Sequence, residues 1–171
     1  MAQEQPTTLK EVQLRLGVAQ HVLIHLCEKG VVVPEFADTS GRGKRREFSQ
    51  RNVFEFAVAL ALREFETSVA TTALLVRLLS SFERALAKLV PNFVLLEFLG
   101  ATGAELVLSL YNGRYLVLSA RGGGLRKQLR LGVTLGDADS RPRIERLEEL
   151  PSEFEGRLEI DLVQIAKRIE T

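Results

Sequence analysis

The 171-residue chain is 46% apolar and 26% charged, with a formal net charge of +1 and one cysteine. These totals fit one large or two small folded domains with a hydrophobic core, and the single cysteine excludes an internal disulfide. No apolar run approaches the ~18 residues of a membrane span, and "MAQEQPTTLKE" lacks the basic and apolar regions of a signal peptide, so we expect a cytoplasmic protein with no membrane partner.

Two short helices are predicted near the start of the chain. In "TLKE", Thr8 is placed to accept a hydrogen bond from the amide of Glu11 while the Glu11 side chain reaches back, which is a capping box. Gly17 ends this helix, since glycine adopts a positive φ at low cost. A second helix begins near Ala19 and ends before Gly30, so the pair predicts a helix-turn-helix.

A loop and two more helices are predicted for residues 31 to 90. "VVVP" is a β-prone run closed by a proline, and "ADTSGRGKRREFS" has the glycine and arginine content of a loop or hairpin. Ser49 is placed to cap a third helix, and a fourth helix restarts at Thr67 or Ser68 and continues until Pro91 ends it. The predicted inner side of the third helix is Val53, Phe54, Ala57, Ala61 and Phe65.

Composition changes at Pro91, where we place a domain boundary. The runs beyond it are β-like and separated by glycines: "NFVLLEFLG", "AELVLSLYNGRYLVLSA", "LRKQLRLGVTLG" and "RLEID". The last run leads into an amphipathic helix that Asp161 is placed to cap. The sequence therefore predicts two domains, residues 7–90 and 91–171, the second being a small antiparallel β-rich domain with a C-terminal helix.

The pair Asn112–Gly113 is the strongest turn signal in this second part. A two-residue turn at this pair places Leu110 opposite Tyr115 on the neighbouring strand. In that register Leu108 and Leu116 lie on opposite faces of the hairpin, and both faces are mostly apolar. Such a hairpin needs cover on both sides.

The near-neutral total hides a strong local bias in charge. Between Arg42 and Arg51 five basic residues stand against one acid, and between Arg114 and Arg130 five stand against none. The tail from Gly136 onward carries ten acids and six bases. Any contact with nucleic acid must therefore use the two basic patches.

The segment "GVAQHVLIHLCEKG" contains both histidines and the only cysteine. His21 and His25 are four residues apart and share a helix face, whereas Cys27 lies about 120° further round, so this helix supplies no third metal ligand. Nucleophile-elbow, phosphate-loop and dinucleotide motifs are absent from the chain. We therefore expect no enzyme activity, no metal and no cofactor.

The outward side of the second helix suits recognition of a macromolecule instead. It starts at the helix N-terminus, where free amides and the helix dipole favour phosphate. Gln20 and His21 are suited to base edges or phosphates in a major groove. The outward row is Gln20, His21, Ile24, His25 and Glu28.

The order of parts from Thr8 to about Leu79 resembles the MerR-type (mercury-resistance regulator) winged-helix family. The matching pieces are "TLKEVQLRLGVA", "VLIHLC", "GVVVP", "GRGKRREFS" and "RNVFEFAVALALREF". They correspond to the family's capped helix with its G-V-S turn, its T-L-R-Y-Y-E helix, its G-L-L-x-P segment, its glycine-arginine wing and its next helix. The resemblance covers a little under half of the chain.

This resemblance implies a DNA-binding module, with the second helix in the major groove and the wing on the adjacent backbone. Phe48 would anchor the wing to the core, and His25 takes the place of a phosphate-contacting tyrosine. Ile24 stands where the family has a backbone-contacting arginine, which removes about one charge's worth of salt-dependent affinity. The implied DNA-binding residues are Gln20, His21, Ile24, His25, Arg42, Lys44, Arg45 and Arg46.

The fourth helix carries an apolar seam with the spacing of a short coiled coil. The seam either packs within one subunit or forms a dimer, and the resemblance implies a homodimer that presents two recognition helices to a two-fold site. The seam residues are Leu75, Leu79, Phe82, Leu86 and Leu89.

We therefore expect an α+β protein in which a winged helix-turn-helix is followed by a long helix and a β-rich dimerisation or effector domain. The expected function is a sequence-specific, double-stranded-DNA-binding transcriptional regulator. The alternative is an interaction module that kept the winged fold and lost DNA, because an exposed Ile24 also suits a protein partner.

Overall fold

The computed structural model describes residues 5–36, 46–136 and 143–170. Within these ranges the chain is a mixed α+β protein with six helices, a two-stranded sheet and a five-stranded antiparallel sheet. It divides into two compact units, Met1–Leu78 with Ile165–Thr171, and Leu79–Gln164. The elements in chain order are β1 (Thr7–Thr8), α1 (Leu9–Leu16), α2 (Gln20–Glu28), β2 (Glu47–Phe48), α3 (Gln50–Glu64), α4 (Val69–Leu89), α5 (Leu95–Gly100), β3 (Glu105–Tyr111), β4 (Tyr115–Arg121), β5 (Leu129–Thr134), β6 (Glu145–Arg146), β7 (Arg157–Asp161) and α6 (Leu162–Glu170).

The first unit opens with the predicted capping box, which is confirmed. The Thr8 amide donates to Oε2 of Glu11 at 2.6 Å, and the Glu11 amide donates to Oγ1 of Thr8 at 3.4 Å. The hydrogen bond from the Thr8 amide also holds the pKa of the Glu11 carboxyl below its ordinary value. Gly17, at φ 63°, ends α1, and α2 begins three residues later.

The β-prone run "VVVP" does not form a strand, so that part of the prediction is wrong. The amides of Val31 and Val32 donate to the carbonyl of Leu26 at 2.9 and 3.4 Å. They therefore complete the C-terminal end of α2 and are not available to a ladder. The extended pair in this unit is β1 with β2, in which Thr7 lies opposite Phe48.

Helix α3 begins at the predicted cap, and of the five residues predicted for its inner side Val53 and Phe54 are buried, Ala57 and Ala61 are half-buried and Phe65 is exposed. The Asn52 amide donates to Oγ of Ser49 at 3.0 Å, which confirms the cap. Phe65 is 53% exposed and is the C-cap residue, one position beyond the end of the helix. The buried side of α3 is Asn52, Val53, Phe54, Phe56, Val58, Ala59 and Leu62.

Helix α4 buries nearly all of its apolar seam. Ser68 accepts from the Thr71 amide at 3.1 Å at the start of the helix, and Pro91 follows its end. The first four seam residues, Leu75 to Leu86, are at most 1% exposed, whereas Leu89 is 41% exposed. The seam is therefore covered within a single chain and is not the free surface that a second copy would need.

The second unit is built on the five-stranded sheet, with strand order β6-β5-β4-β3-β7 and every neighbouring pair antiparallel. Its apolar face is almost fully buried. The residues of this face on β3, β4 and β5 are Leu106, Leu108, Leu110, Leu116, Leu118, Ala120, Leu129, Leu131 and Val133.

The β3–β4 hairpin forms at the predicted turn but in a different register. Tyr111 pairs with Tyr115 and Leu110 with Leu116, so Arg114 belongs to the turn. The Arg114 amide closes that turn on the carbonyl of Tyr111 at 2.9 Å. A one-residue change of register reverses every later side chain, so Leu116 shares a face with Leu110. The hairpin consequently has one apolar and one mixed face, and the prediction of two apolar faces is wrong.

The run "NFVLLEFLG" contains helix α5 and not a strand, which corrects another prediction. No side chain at the N-cap, Val94, closes this helix, but the Glu83 carboxylate of α4 accepts from the Leu95 amide at 2.7 Å. Leu95, Phe98 and Leu99 are buried at helical spacing. A contact from a residue distant in sequence therefore outweighs the local β propensity.

The end of the described chain agrees with the prediction. Oδ1 of Asp161 accepts from the amides of Val163 and Gln164 at 2.9 and 3.0 Å, which caps α6 directly after β7. The apolar residues Leu162 and Ile165 of this helix are buried, whereas Ile169 is half-buried. None of the helices in the described part of the chain is both long and apolar enough to span a bilayer.

Candidate nucleic-acid interface

Helix α2 is held in the first unit by two leucines. Leu23 and Leu26 are fully buried, and α1 contacts α2 directly. The turn between the helices is fixed at Gly17, whose amide donates to the carbonyl of Gln13 at 2.9 Å. This arrangement leaves the opposite side of α2 facing away from the helix that supports it.

The outward row of α2 is graded in exposure. Gln20, His21 and Glu28 are exposed, whereas Ile24 and His25 are half-buried. The exposed polar side chains therefore stand at both ends of the row, with an aliphatic side chain between them. The N-terminal pair offers the most accessible hydrogen-bonding groups.

The N-terminal end of α2 carries no cap from its own sequence. Ala19 occupies the N-cap position with φ −68° and ψ 139°, and it makes no side-chain cap hydrogen bond. The first turn also contains no acidic residue. No side-chain cap therefore occupies the first amides of the helix, and no first-turn carboxylate neutralises the partial positive charge of its N-terminus. A helix end in this state can bind a phosphate oxygen.

The loop that follows α2 is tied to α3 by the buried side chain of Asn52. Its Oδ1 accepts from the amides of Glu35 at 2.9 Å and Ser49 at 3.3 Å. Its Nδ2 donates to the carbonyl of Val33 at 3.0 Å and to Oε2 of Glu55 at 3.1 Å. Asn52 is 1% exposed, and both its oxygen and its nitrogen have two partners. It therefore fixes the chain on both sides of residues 37–45.

A largely buried ion pair extends this network along α3. Nε of Arg51 lies 3.3 Å from Oε1 of Glu55, and both side chains are less than 15% exposed. Burial raises the pKa of the Glu55 carboxyl, although the hydrogen bond from Asn52 and the charge of Arg51 oppose that shift. Because Arg51 is committed to this pair, it is less suited to phosphate than a free surface cation.

The predicted wing lies mostly outside the described residues, and so do the predicted contacts Arg42, Lys44 and Arg45. Arg46 is described and half-buried, directly before β2. Phe48, the predicted anchor, is fully buried and packs edge-on against Phe56 at a ring distance of 5.3 Å. The C-terminal stem of the segment is thus fixed to the core.

Within the part of the chain that the structure describes, the two histidines and the cysteine of α2 do not converge with further ligands. Among the described residues there is no group of three His, Cys, Asp or Glu side chains placed to hold a metal ion. Cys27 is half-buried and forms no disulfide.

Two parts of this surface were not predicted from the sequence. The β1–β2 ladder has only two residues in each strand, too few for an alternating pattern to be recognised. The network at Asn52 had a weak local signal, since asparagine here takes the third-residue role usually filled by Glu or Gln in a capping box. Its contacts with Val33 and Glu35 have no local signal.

Comparisons with known proteins add no family to this description: neither protein-family models nor curated proteins match the chain.

Proposed function

We propose that the protein is a sequence-specific, double-stranded-DNA-binding transcriptional regulator of the MerR-like winged-helix type, without enzymatic activity and acting as a homodimer. In this proposal α2 enters the major groove, and the wing, with Arg42, Lys44, Arg45 and Arg46, contacts the adjacent backbone. The proposal rests on the sequence resemblance and on one structural observation. That observation is the exposed pair Gln20 and His21 at an uncapped helix N-terminus.

The order of contacts follows from the physical properties of α2. Its free amides and helix dipole bind phosphate and set the position of the helix, while Gln20 reads a base edge, with adenine as the natural partner of its amide. His21 hydrogen-bonds a phosphate or a purine nitrogen. Ile24, half-buried, offers its methyl groups to a thymine methyl.

The sharpest test exploits two opposite effects of one substitution, Gln20→Glu. A carboxylate in the first turn of α2 stabilises the helix by about 0.3–1 kcal/mol through the dipole. The same carboxylate repels phosphate and cannot donate to adenine, so affinity for duplex DNA falls about tenfold or more. Binding to a pool of duplex sequences is measured at two salt concentrations, beside thermal unfolding. Gln164→Glu, on the exposed side of α6, is the matched control.

The proposal predicts that Gln20→Glu unfolds at the same or a higher temperature than the parent yet loses DNA, whereas Gln164→Glu keeps it. An affinity that does not depend on salt, or equal affinities for the two variants, would refute it. Sedimentation of the protein with a bound palindromic duplex tests the dimer, because a two-fold site requires two chains for each duplex.

A protein-interaction module is the second candidate, favoured by the apolar exposure of the same unit. Leu14 is 72% exposed, Val33 62% and Phe36 47%. With Ile24 they provide aliphatic and aromatic surface that a protein partner would cover. If the protein has this second function, Ile24→Asp should abolish binding of a protein partner that stays bound after nuclease treatment. Gln20→Glu should leave the binding of that partner unchanged.

A further inference from the structure

The second unit contains an open groove that has no role in the proposed DNA contact. One wall is a face of α4 formed by Ser81, Arg84, Ala85 and Lys88, which are spaced three or four residues apart, together with Leu89. The other wall is Leu131 of β5 with Ile144 and Arg146. The volume of the groove is about 470 Å³, within the range of about 300–1,000 Å³ that small-molecule sites occupy.

Three cationic side chains face this groove: Arg84, Lys88 and Arg146. None of the described residues that line the groove is acidic, so this described lining carries three formal positive charges. Nη2 of Arg84 donates to Oγ of Ser81 at 3.1 Å, which orients the guanidinium and leaves its other donors available. Cations brought together in this way attract an anion.

The position of Arg146 follows from the register of the sheet. Arg146 lies on the edge strand β6 directly opposite Leu131, so both side chains project from the same face of the sheet. Leu131 is 2% exposed. Leu131 therefore belongs to the packed base of the groove, and the accessible apolar surface beside Arg146 comes from Leu89, which is 41% exposed, and from half-buried Ile144.

We propose that this groove binds a small organic anion. Its phosphate or carboxylate group lies among the three cations, and its apolar body lies against the accessible aliphatic side chains of Leu89 and Ile144. Arginine supports such binding through paired, charge-assisted hydrogen bonds to a planar or tetrahedral anion. The inference does not depend on DNA binding, because it concerns residues of the second unit alone.

The experiment uses the full-length protein labelled with ¹⁵N and four probes that separate charge from apolar surface. Phenyl phosphate and phenylacetate have both features, inorganic phosphate has only the charge, and phenol has only the ring. We expect saturable shifts of the backbone amides of Ala85, Lys88 and Arg146 with one or both of the first two probes. The stronger of these two identifies the anionic group, and inorganic phosphate and phenol bind at least about tenfold more weakly.

Matched variants test the assignment of the site. Arg84→Gln with Arg146→Gln removes two charges from the groove, whereas Arg126→Gln with Lys127→Gln removes two exposed charges from the β4–β5 loop of the same unit. We expect the first pair to weaken phenyl phosphate at least about tenfold and the second pair by less than about twofold. Leu89→Ser, at a partly exposed position, should weaken phenyl phosphate but not inorganic phosphate.

Three results would overturn the proposal. The first is the absence of saturable shifts in the groove with either organic anion. The second is equal binding of phenyl phosphate and inorganic phosphate, which would show that the aliphatic side chains contribute nothing. The third is an equal loss of affinity in the two charge-removing pairs, which would show that the ligand responds to net charge and not to this groove.

Discussion

Truncation of one buried side chain, Asn52→Ala, tests whether the chain around residues 37–45 is held from the core. The variant removes four hydrogen bonds and leaves the Glu35 amide and the Val33 carbonyl without their partner. Each part-buried polar group left unpaired costs about 1 kcal/mol at the low end of the usual range, and half of the capping box is lost at about 1 kcal/mol more. The free energy of unfolding should therefore fall by about 3 kcal/mol.

The assay is urea unfolding followed by circular dichroism, read as a shift of the midpoint at constant slope. The matched control is Gln50→Ala, two residues earlier on α3, where an exposed side chain accepts from Arg15 at 3.1 Å. That control should cost less than about 0.5 kcal/mol, since exposed hydrogen bonds compete with water. If Asn52→Ala and Gln50→Ala unfold at the same urea concentration, the network does not hold the loop and the reasoning fails.

Three further predictions concern a titration, a close approach and the seam. Burial raises the pKa of Glu55 above its ordinary value of 4.5, so its stabilising contribution is present below that pH and is lost as the pH rises through the folded pKa. The difference in stability between the parent and Glu55→Gln should therefore shift in favour of the variant as the pH rises, and urea midpoints that differ equally at all pH values would contradict this. A methyl group at Gly132 would meet Cζ of Tyr115 at 2.9 Å, so Gly132→Ala should lower the free energy of unfolding by about 1–3 kcal/mol. The loss should be smaller in a Tyr115→Ala background, and an equal loss in both backgrounds would show that the clash with Tyr115 is unimportant. Leu86→Ala should lower the free energy of unfolding by about 2–5 kcal/mol, and Leu89→Ala should lower it by less than about 1 kcal/mol. Leu89→Ala should not change the sedimentation of the protein, and a shift to monomer would instead show that the seam is a dimer interface.

The helix ends were predictable because their chemistry is local. Thr8, Ser49 and Asp161 each accept from amides two or three residues ahead, and Gly17 supplies a positive φ. These interactions need only the residues within one helical turn. Four helix ends, both ends of α1 and the starts of α3 and α6, therefore follow from the sequence to within one or two residues.

The hairpin register was not predictable because it depends on distant partners. The carbonyl of Arg114 accepts from the Leu135 amide at 2.7 Å, and Oδ1 of Asn112 accepts from the Gly156 amide at 2.8 Å. These contacts hold a three-residue turn where the local signal predicts two. Helix α5 was not predictable for the same reason, since the carboxylate that caps its N-terminus belongs to Glu83, twelve residues before Leu95.

The candidate interface likewise has features that the sequence predicts and features that it does not. The outward position of Gln20 and His21 follows from helical spacing, because Leu23 and Leu26 mark the buried side. The half-burial of Ile24 and His25 does not follow from that spacing, since it depends on which neighbouring residues approach the middle of the helix. Periodicity assigns a face to a residue, whereas exposure is set by tertiary packing.

The chain is anchored on both sides of residues 37–45. Glu35 is bonded to Asn52 on one side, and Glu47 is paired with Thr8 on the other. A substitution at Arg42 or Lys44 should leave these anchoring contacts in place, so its effect on DNA binding can be measured apart from any effect on the stability of the first unit.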